Sequence, residues 1–213
     1  MPKSSEREYR NMVIEAREPE EGAEEMIVEG YATTFNEPYV LYEDGDLVYR
    51  EQIDRYAFDN TDMTDVIMQY DHAGRVFARS SNGTLELAPD DVGLHTRGYL
   101  SGTELGRQVY TEVKGGYTNK MSFGFTVDAD EELRTEAEDG RVDILRTITR
   151  IKKLYDVSAV SIPANDNTVI GVVTRSKIDG AIDELRAERR EAERLAVNRR
   201  RAEVRARALS ERG

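Results

Sequence analysis

The chain of 213 residues contains no cysteine and no tryptophan, and it has only two histidines. Without cysteine the protein has no disulfides, no thiolate metal ligands and no cysteine nucleophile. The same absence suits a reducing cytoplasm. If the chemistry needs a histidine base, the choice is restricted to His72 and His95.

Long hydrophobic runs are also missing. No apolar stretch approaches the roughly 20 residues of a membrane span, and the first ten residues, MPKSSEREYR, lack the hydrophobic region of a signal peptide. We therefore expect a soluble protein that has no membrane association and is not secreted by that route. Because no phosphate-binding glycine loop, zinc signature or calcium-loop spacing occurs, we expect no cofactor and no metal.

Clustered positive charge is absent from most of the chain, which carries a net charge of -12. Neutralising phosphates requires clustered lysine and arginine, so we expect no nucleic-acid binding. The net charge is +4 from Arg175 to the end and -16 before it. We predict a folded domain over residues 1–174 and a charged helical tail over 175–213, in which Ile178, Ile182 and Leu185 follow helical spacing.

Short alternating apolar runs predict that the folded domain is mainly β with a few helices. Strands are expected near residues 12–16 and 26–33, a turn at Asp44-Gly45, a short helix near 51–58, a strand over 66–72, and a helix that a Ser101-to-Glu104 capping box begins and Gly115 ends. Short strands at close spacing favour a closed barrel or a sandwich.

The stretch from Lys120 to Thr126 reads with a period of two residues. Met121, Phe123 and Phe125 share one face of the predicted strand and would point into a core. Ser122 shares the other face with Gly124, whose missing side chain would keep the approach to the serine clear. Ser122 is therefore a candidate nucleophile if a base accompanies it.

Three residues are candidates for that base. His72 ends an apolar run, whereas His95 shares its strand face with Arg97 and reads as a solvated residue. Lys120 lies on the same strand face as Ser122, but about 7 Å separates residues i and i+2. We favour His72. From residue types alone, purely structural roles for the serine and the histidine also fit, because geometry is what identifies a catalytic triad.

The order of several blocks resembles the prohead (capsid maturation) proteases of tailed bacteriophages. These blocks are Tyr70-Asp71-His72, Ser80 to Leu87, Gly106-Arg107, Met121-Ser122-Phe123-Gly124-Phe125 and Leu154 to Ala164. That family comprises serine peptidases thought to share a fold with the herpesvirus assemblins.

The resemblance implies a closed β-barrel of the herpesvirus-assemblin and prohead-protease type, followed by the charged C-terminal helical tail. It also implies a serine endopeptidase with Ser122 as nucleophile, His72 as general base and Asp156 as the orienting acid. Asp156 stands where the family usually shows an acidic residue in an L-x-E-V-S block. The alternative for Asp156 is a structural ion pair with Lys152 or Lys153.

The same resemblance implies the partners and the location. The substrates would be the capsid scaffolding protein or the scaffolding segment of the major capsid protein, and also the protease itself, which would be self-cleaved and could form a homo-oligomer. The enzyme would act in the host cytoplasm, inside the assembling prohead. The tail would target the protease to scaffold or merely solubilise it. The competing hypothesis is a non-catalytic capsid assembly protein of the same fold that binds scaffold.

Overall fold

A computed structural model describes residues 7–17, 25–160 and 172–210. The described residues fall into two compact units, the first ending at Val172 and the second beginning at Val173. The strands are β1 (Glu8–Arg17), β2 (Ile27–Thr34), β3 (Tyr39–Glu43), β4 (Leu47–Ile53), β5 (Ile67–Tyr70), β6 (Ala73–Arg79), β7 (Leu85–Pro89), β8 (Gly93–Tyr99), β9 (Lys120–Glu136) and β10 (Val142–Val160). The helices are α1 (Glu104–Lys114) and α2 (Val172–Ser210), and Ser80–Asn82 form one 3-10 turn.

The first unit is built on a sheet that is not closed, so the prediction of a closed β-barrel is wrong. The strand order is β3-β4-β10-β9-β1-β2-β8-β7, and β5 pairs with β10 and β6. Within the described residues, the end strands β3 and β7 each pair on one side only. The sheet branches because β10 pairs in parallel with β4 through residues 142–148 and with β5 through residues 156–159.

Most predicted elements of this unit are present. β1 and β2 form an antiparallel pair, and β3 and β4 flank the Asp44-Gly45 turn. Helix α1 ends at Gly115 as predicted, but its N-cap is Thr103, whose hydroxyl accepts a hydrogen bond from the N–H of Gly106 at 2.9 Å. The prediction of a helix near residues 51–58 is wrong. Residues 51–53 belong to β4, which pairs with β10, and the residues after Ile53 form turns.

The predicted core face of β9 is confirmed. Met121, Phe123 and Phe125 are fully buried, and the two phenylalanine rings stack with their centroids 4.7 Å apart. They belong to one hydrophobic cluster with residues of β2, β5, β8, β10 and α1. β9 therefore sits at the centre of the unit, held by β1 on one side and by β10 on the other.

A buried ionic cluster ties β1 to β4 and β10. Glu51 accepts hydrogen bonds from Arg10 Nε at 2.6 Å, from Arg146 Nη1 at 2.7 Å and from the hydroxyl of Tyr39 at 2.5 Å. Glu8 also contacts both arginines. Burial alone would lower the pKa of Arg10, but the adjacent Glu51 carboxylate raises it well above its ordinary value. The cluster fixes the position of β1, which borders the strand of Ser122.

The second unit contains α2, so the predicted tail helix is present. Its surface carries ion pairs one turn apart, Asp183 with Arg186 and Glu191 with Arg194. Leu195 and Val197 are exposed large apolar residues of this helix. In the described part of the chain, no helix is long and apolar enough to cross a membrane.

Candidate active site

Ser122 lies in the middle of β9, between β1 and β10. Its Cα partners are Asn11 on β1 and Ser158 on β10. Ser122 is 1% exposed, and its Oγ makes no hydrogen bond to any described residue. The hydroxyls of Thr96 and Thr126 are also buried without a described hydrogen-bond partner, so this property alone does not single out Ser122.

His72 lies in the tight turn that joins β5 to β6. Tyr70 pairs with Ala73 across this turn, and both residues between them have positive φ, 49° for Asp71 and 55° for His72. Positive φ at both central residues is the pattern of a type I′ hairpin turn, which favours asparagine or aspartate followed by glycine, so Asp71 fits this preference and His72 stands where glycine is usual. β5 thus ends at Tyr70, two residues earlier than expected. Backbone held in this sparsely populated region is concentrated at functional sites.

Asp156 lies on β10 and holds the imidazole of His72. Its Oδ1 is 2.5 Å from Nδ1 of His72. The aspartate is 1% exposed and the histidine side chain 21% exposed. Neither alternative partner of Asp156 pairs with it: Lys153 Nζ donates instead to Asp62 at 2.7 Å, and exposed Lys152 forms no ion pair with Asp156. The structure therefore brings together the predicted base and the predicted orienting acid, which are 84 residues apart in sequence.

Ser122 shares a sheet face with Asp156. In the pairing of β9 with β10, Gly124 is opposite Asp156 and Ser122 is opposite Ser158. Directly opposed residues point to the same face, and diagonal neighbours lie about 7–8 Å apart. Ser122 is thus one diagonal step from the acid. No hydrogen bond joins Ser122 to His72, and such bonds are often long or absent before substrate binds.

Gly124 makes room for the acid rather than for an approach to Ser122. An added Cβ at residue 124 would lie 2.6 Å from Oδ2 of Asp156 and 2.7 Å from ring carbon Cε1 of Tyr9. The half-buried Tyr9 ring also packs on the His72 ring, with centroids 4.2 Å apart. The space that we expected to be open is therefore occupied by the carboxylate and by an aromatic wall.

Ser158 is a site residue that sequence reasoning missed. It is fully buried, and its hydroxyl donates to Oδ1 of Asp156 at 2.8 Å. Two signals were available: Ser158 is the serine of the L-x-E-V-S block, and its spacing of two residues from Asp156 places both side chains on one face of a strand. Tyr9 gave no comparable signal, because its place depends on the register between β1 and β9.

The family model for the caudovirus prohead serine protease matches residues 12–181 of this chain. The chain belongs to that family. It is therefore a serine protease of phage prohead maturation. No significant match was found among curated proteins or among solved structures.

The matched segment contains most of the candidate active site described above. It includes His72, Ser122, Asp156 and Ser158, but it begins after Tyr9. The relation in fold to the herpesvirus assemblins stays a prediction, as do the catalytic roles of the individual residues.

His95, the other histidine considered as the base, does not join this site. His95 lies on β8, and two strands stand between β8 and β9 in the sheet order. The ring of His95 packs edge-on against that of Tyr31, with centroids 5.3 Å apart. Asp128 forms an ion pair with Arg150 at 3.0 Å. In residues 7–17, 25–160 and 172–210, no group of three or more histidine, cysteine or acidic side chains is arranged to hold a metal ion.

Proposed function

We propose that this prohead protease is an endopeptidase in which Ser122 is the nucleophile, His72 the general base and Asp156 the orienting acid. The observation that carries the proposal is the short hydrogen bond between His72 and Asp156 on the sheet face that Ser122 shares. A nucleophile, a base and a third group that orients the base form the arrangement that serine attack requires.

The hydrogen bond determines which nitrogen of His72 is available. An ionised carboxylate only accepts hydrogen bonds, so the Asp156 contact requires the proton on Nδ1. Nε2 then carries the lone pair and takes the proton of the Ser122 hydroxyl as Oγ attacks the scissile carbonyl carbon. Asp156 stabilises the imidazolium that results, and His72 returns the proton to the leaving amine.

The free hydroxyl of Ser122 is compatible with this role. Its Oγ has no described hydrogen-bond partner that must be broken before attack. Ser122 and Asp156 are diagonal neighbours, and attack requires the buried serine to become accessible and its side chain or the β5–β6 turn to move until Oγ reaches Nε2 of His72. Substrate binding would select that arrangement.

The proposed substrates are the capsid scaffolding protein or the scaffolding segment of the major capsid protein, and the protease itself, within the prohead in the host cytoplasm. Helix α2 supports the choice of a helical scaffold, because it is a 39-residue charged helix in a unit of its own. Exposed Leu195 offers an apolar contact to a partner helix. The competing proposal, a non-catalytic scaffold-binding protein, leaves the His72–Asp156 contact without a purpose.

The test is co-expression of the full chain with its capsid precursor and scaffold. We expect the precursor, the scaffold and the protease chain to lose mass over time, and all three to remain intact with Ser122→Ala. Ser101→Ala, at an exposed serine outside the site, is the matched control and should behave as wild type. Identical intact masses for wild type and Ser122→Ala would contradict the proposal and favour a non-catalytic assembly role.

A further inference from the structure

The carboxylate of Asp156 has two hydrogen-bond donors, and both reach the same oxygen. Oδ1 accepts from Nδ1 of His72 at 2.5 Å and from Oγ of Ser158 at 2.8 Å. Oδ2 is buried and has no partner among the described residues. A partial rotation of the carboxylate about its Cβ–Cγ bond would therefore weaken both hydrogen bonds at once.

The two donors differ in how firmly they are fixed. His72 is in a two-residue turn, and its side chain is 21% exposed. Ser158 is fully buried in β10 and lies two residues from Asp156 on the same strand face. Only the serine thus holds the carboxylate from the same rigid strand. On the other side, the hollow at Gly124 and the ring of Tyr9 limit where Oδ2 can lie.

We propose that Ser158 is a positioning residue for the protease. Its hydroxyl fixes Oδ1 of Asp156 toward Nδ1 of His72, and this directs the Nε2 lone pair of His72 toward Ser122. The inference rests on the proposed function, because it assigns a role within the same site. Hydrogen bonds to a charged acceptor are among the stronger ones in proteins, and a site of this kind needs rigid support around its reacting groups.

Ser158 and Ser122 are directly opposed on one sheet face, so the two hydroxyls must be told apart. The proton of Ser158 is donated to Asp156, whereas Ser122 makes no described hydrogen bond. Attack by Ser158 would remove the donor that holds the acid. We therefore assign the nucleophilic attack to Ser122 and the positioning of Asp156 to Ser158.

The first measurement is the second-order rate at which a fluorophosphonate probe inactivates the full chain. Ser158→Ala should lower this rate about 10- to 100-fold, the range for losing a hydrogen bond to a charged group. Thr96→Val is the matched control. It also deletes a buried hydroxyl, but one that has no hydrogen-bond partner among the described residues and lies far from β10 in the sheet order. Ser158→Thr, which keeps the hydroxyl, should recover most of the lost rate.

The second measurement reports the His72–Asp156 contact directly. The Nδ1 proton of His72 should give a far-downfield proton resonance in wild type and in Ser122→Ala. It should shift or broaden in Ser158→Ala and stay unchanged in Thr96→Val. A purely structural role for Ser158 would lower stability without moving this resonance.

The outcomes separate this inference from the proposed function. A folded Ser158→Ala protein with the wild-type inactivation rate and an unmoved resonance would overturn the role of Ser158 and leave the triad intact. Probe attachment to Ser158 would overturn it as well. No attachment to Ser122 in wild type would overturn the proposed function, while the resonance would still report on Ser158. If Ser158→Ala does not fold, Ser158→Cys, a weaker donor, should give an intermediate rate, and a wild-type rate would refute the role.

Discussion

Gly124→Ala is the smallest change that tests the geometry of the site. The added methyl would lie 2.6 Å from Oδ2 of Asp156 and 2.7 Å from Cε1 of Tyr9. To reach an ordinary contact of 3.4 Å, the carboxylate must move by about 0.8 Å. Oδ1 belongs to the same rigid carboxylate, so the bond to His72 is displaced by a similar amount.

A displacement of about 1 Å costs catalysis about 100-fold. We therefore expect Gly124→Ala to lower the rate of inactivation by a fluorophosphonate about 10- to 100-fold. Overpacking should also cost about 1–3 kcal/mol of unfolding free energy, which must be separated from the effect on the site.

Gly98→Ala provides that separation. The methyl added in this variant would make an equally short contact, 2.7 Å from Sδ of Met68, but with a core side chain rather than with Asp156. Methionine adapts its shape readily, so this variant should react close to the wild-type rate. The reasoning is refuted if both variants lose the same stability and Gly124→Ala reacts as fast as Gly98→Ala.

Three further predictions concern the triad and the buried cluster. His72→Ala should lower peptidase activity about 10⁶-fold, and Asp156→Asn less completely, by about 10⁴-fold; equal losses, or none, would contradict the assigned roles. In urea unfolding, Glu51→Gln should lower the unfolding free energy by about 3–5 kcal/mol, because it removes a negative charge that pairs with buried arginines. Asp143→Asn removes one partner of an ion pair that is about one-third exposed and should cost only about 0–1 kcal/mol. Equal costs for the two variants would refute the distinction. Burial and a hydrogen bond to a glutamate raise the pKa of Tyr49 above 10.0, so its stabilising contribution is present below that pH and is lost as pH rises further. Absorbance titration should show one fewer tyrosine resisting ionisation in Tyr49→Phe than in wild type, and identical curves would contradict this.

Local pattern predicted β1, β2, β5 and the start of β9, and the helices α1 and α2, but it did not predict the full length of β9 or whether the sheet closes. Alternation placed Met121, Phe123 and Phe125 in the core, and the Gly115 signal ended α1 correctly. Closure depends on whether the end strands β3 and β7 meet, which is a long-range pairing that periodicity does not encode. The helix predicted near residues 51–58 failed because pairing with β10 outweighed local propensity.

The candidate site was predictable only in part. Ser122, His72 and Asp156 were nominated from residue chemistry and from a family resemblance. Their supporting residues were not. Ser158 was overlooked although it lies two residues from Asp156 on one strand face, and the contacts of Tyr9 follow from the register between β1 and β9 and from the shape of the hollow at Gly124. The positive φ of His72 was also hidden, since a histidine stands after Asp71 where a type I′ turn usually has glycine.

The central claim is that Ser122 is the nucleophile and that His72 activates it. The most direct measurement is to treat the full chain with a fluorophosphonate probe and to locate the adduct by mass spectrometry of its peptides. We predict one adduct per chain, on Ser122, which is absent from His72→Ala. An adduct on any other residue, or equal labelling of Ser122 after His72 is replaced, would contradict the claim.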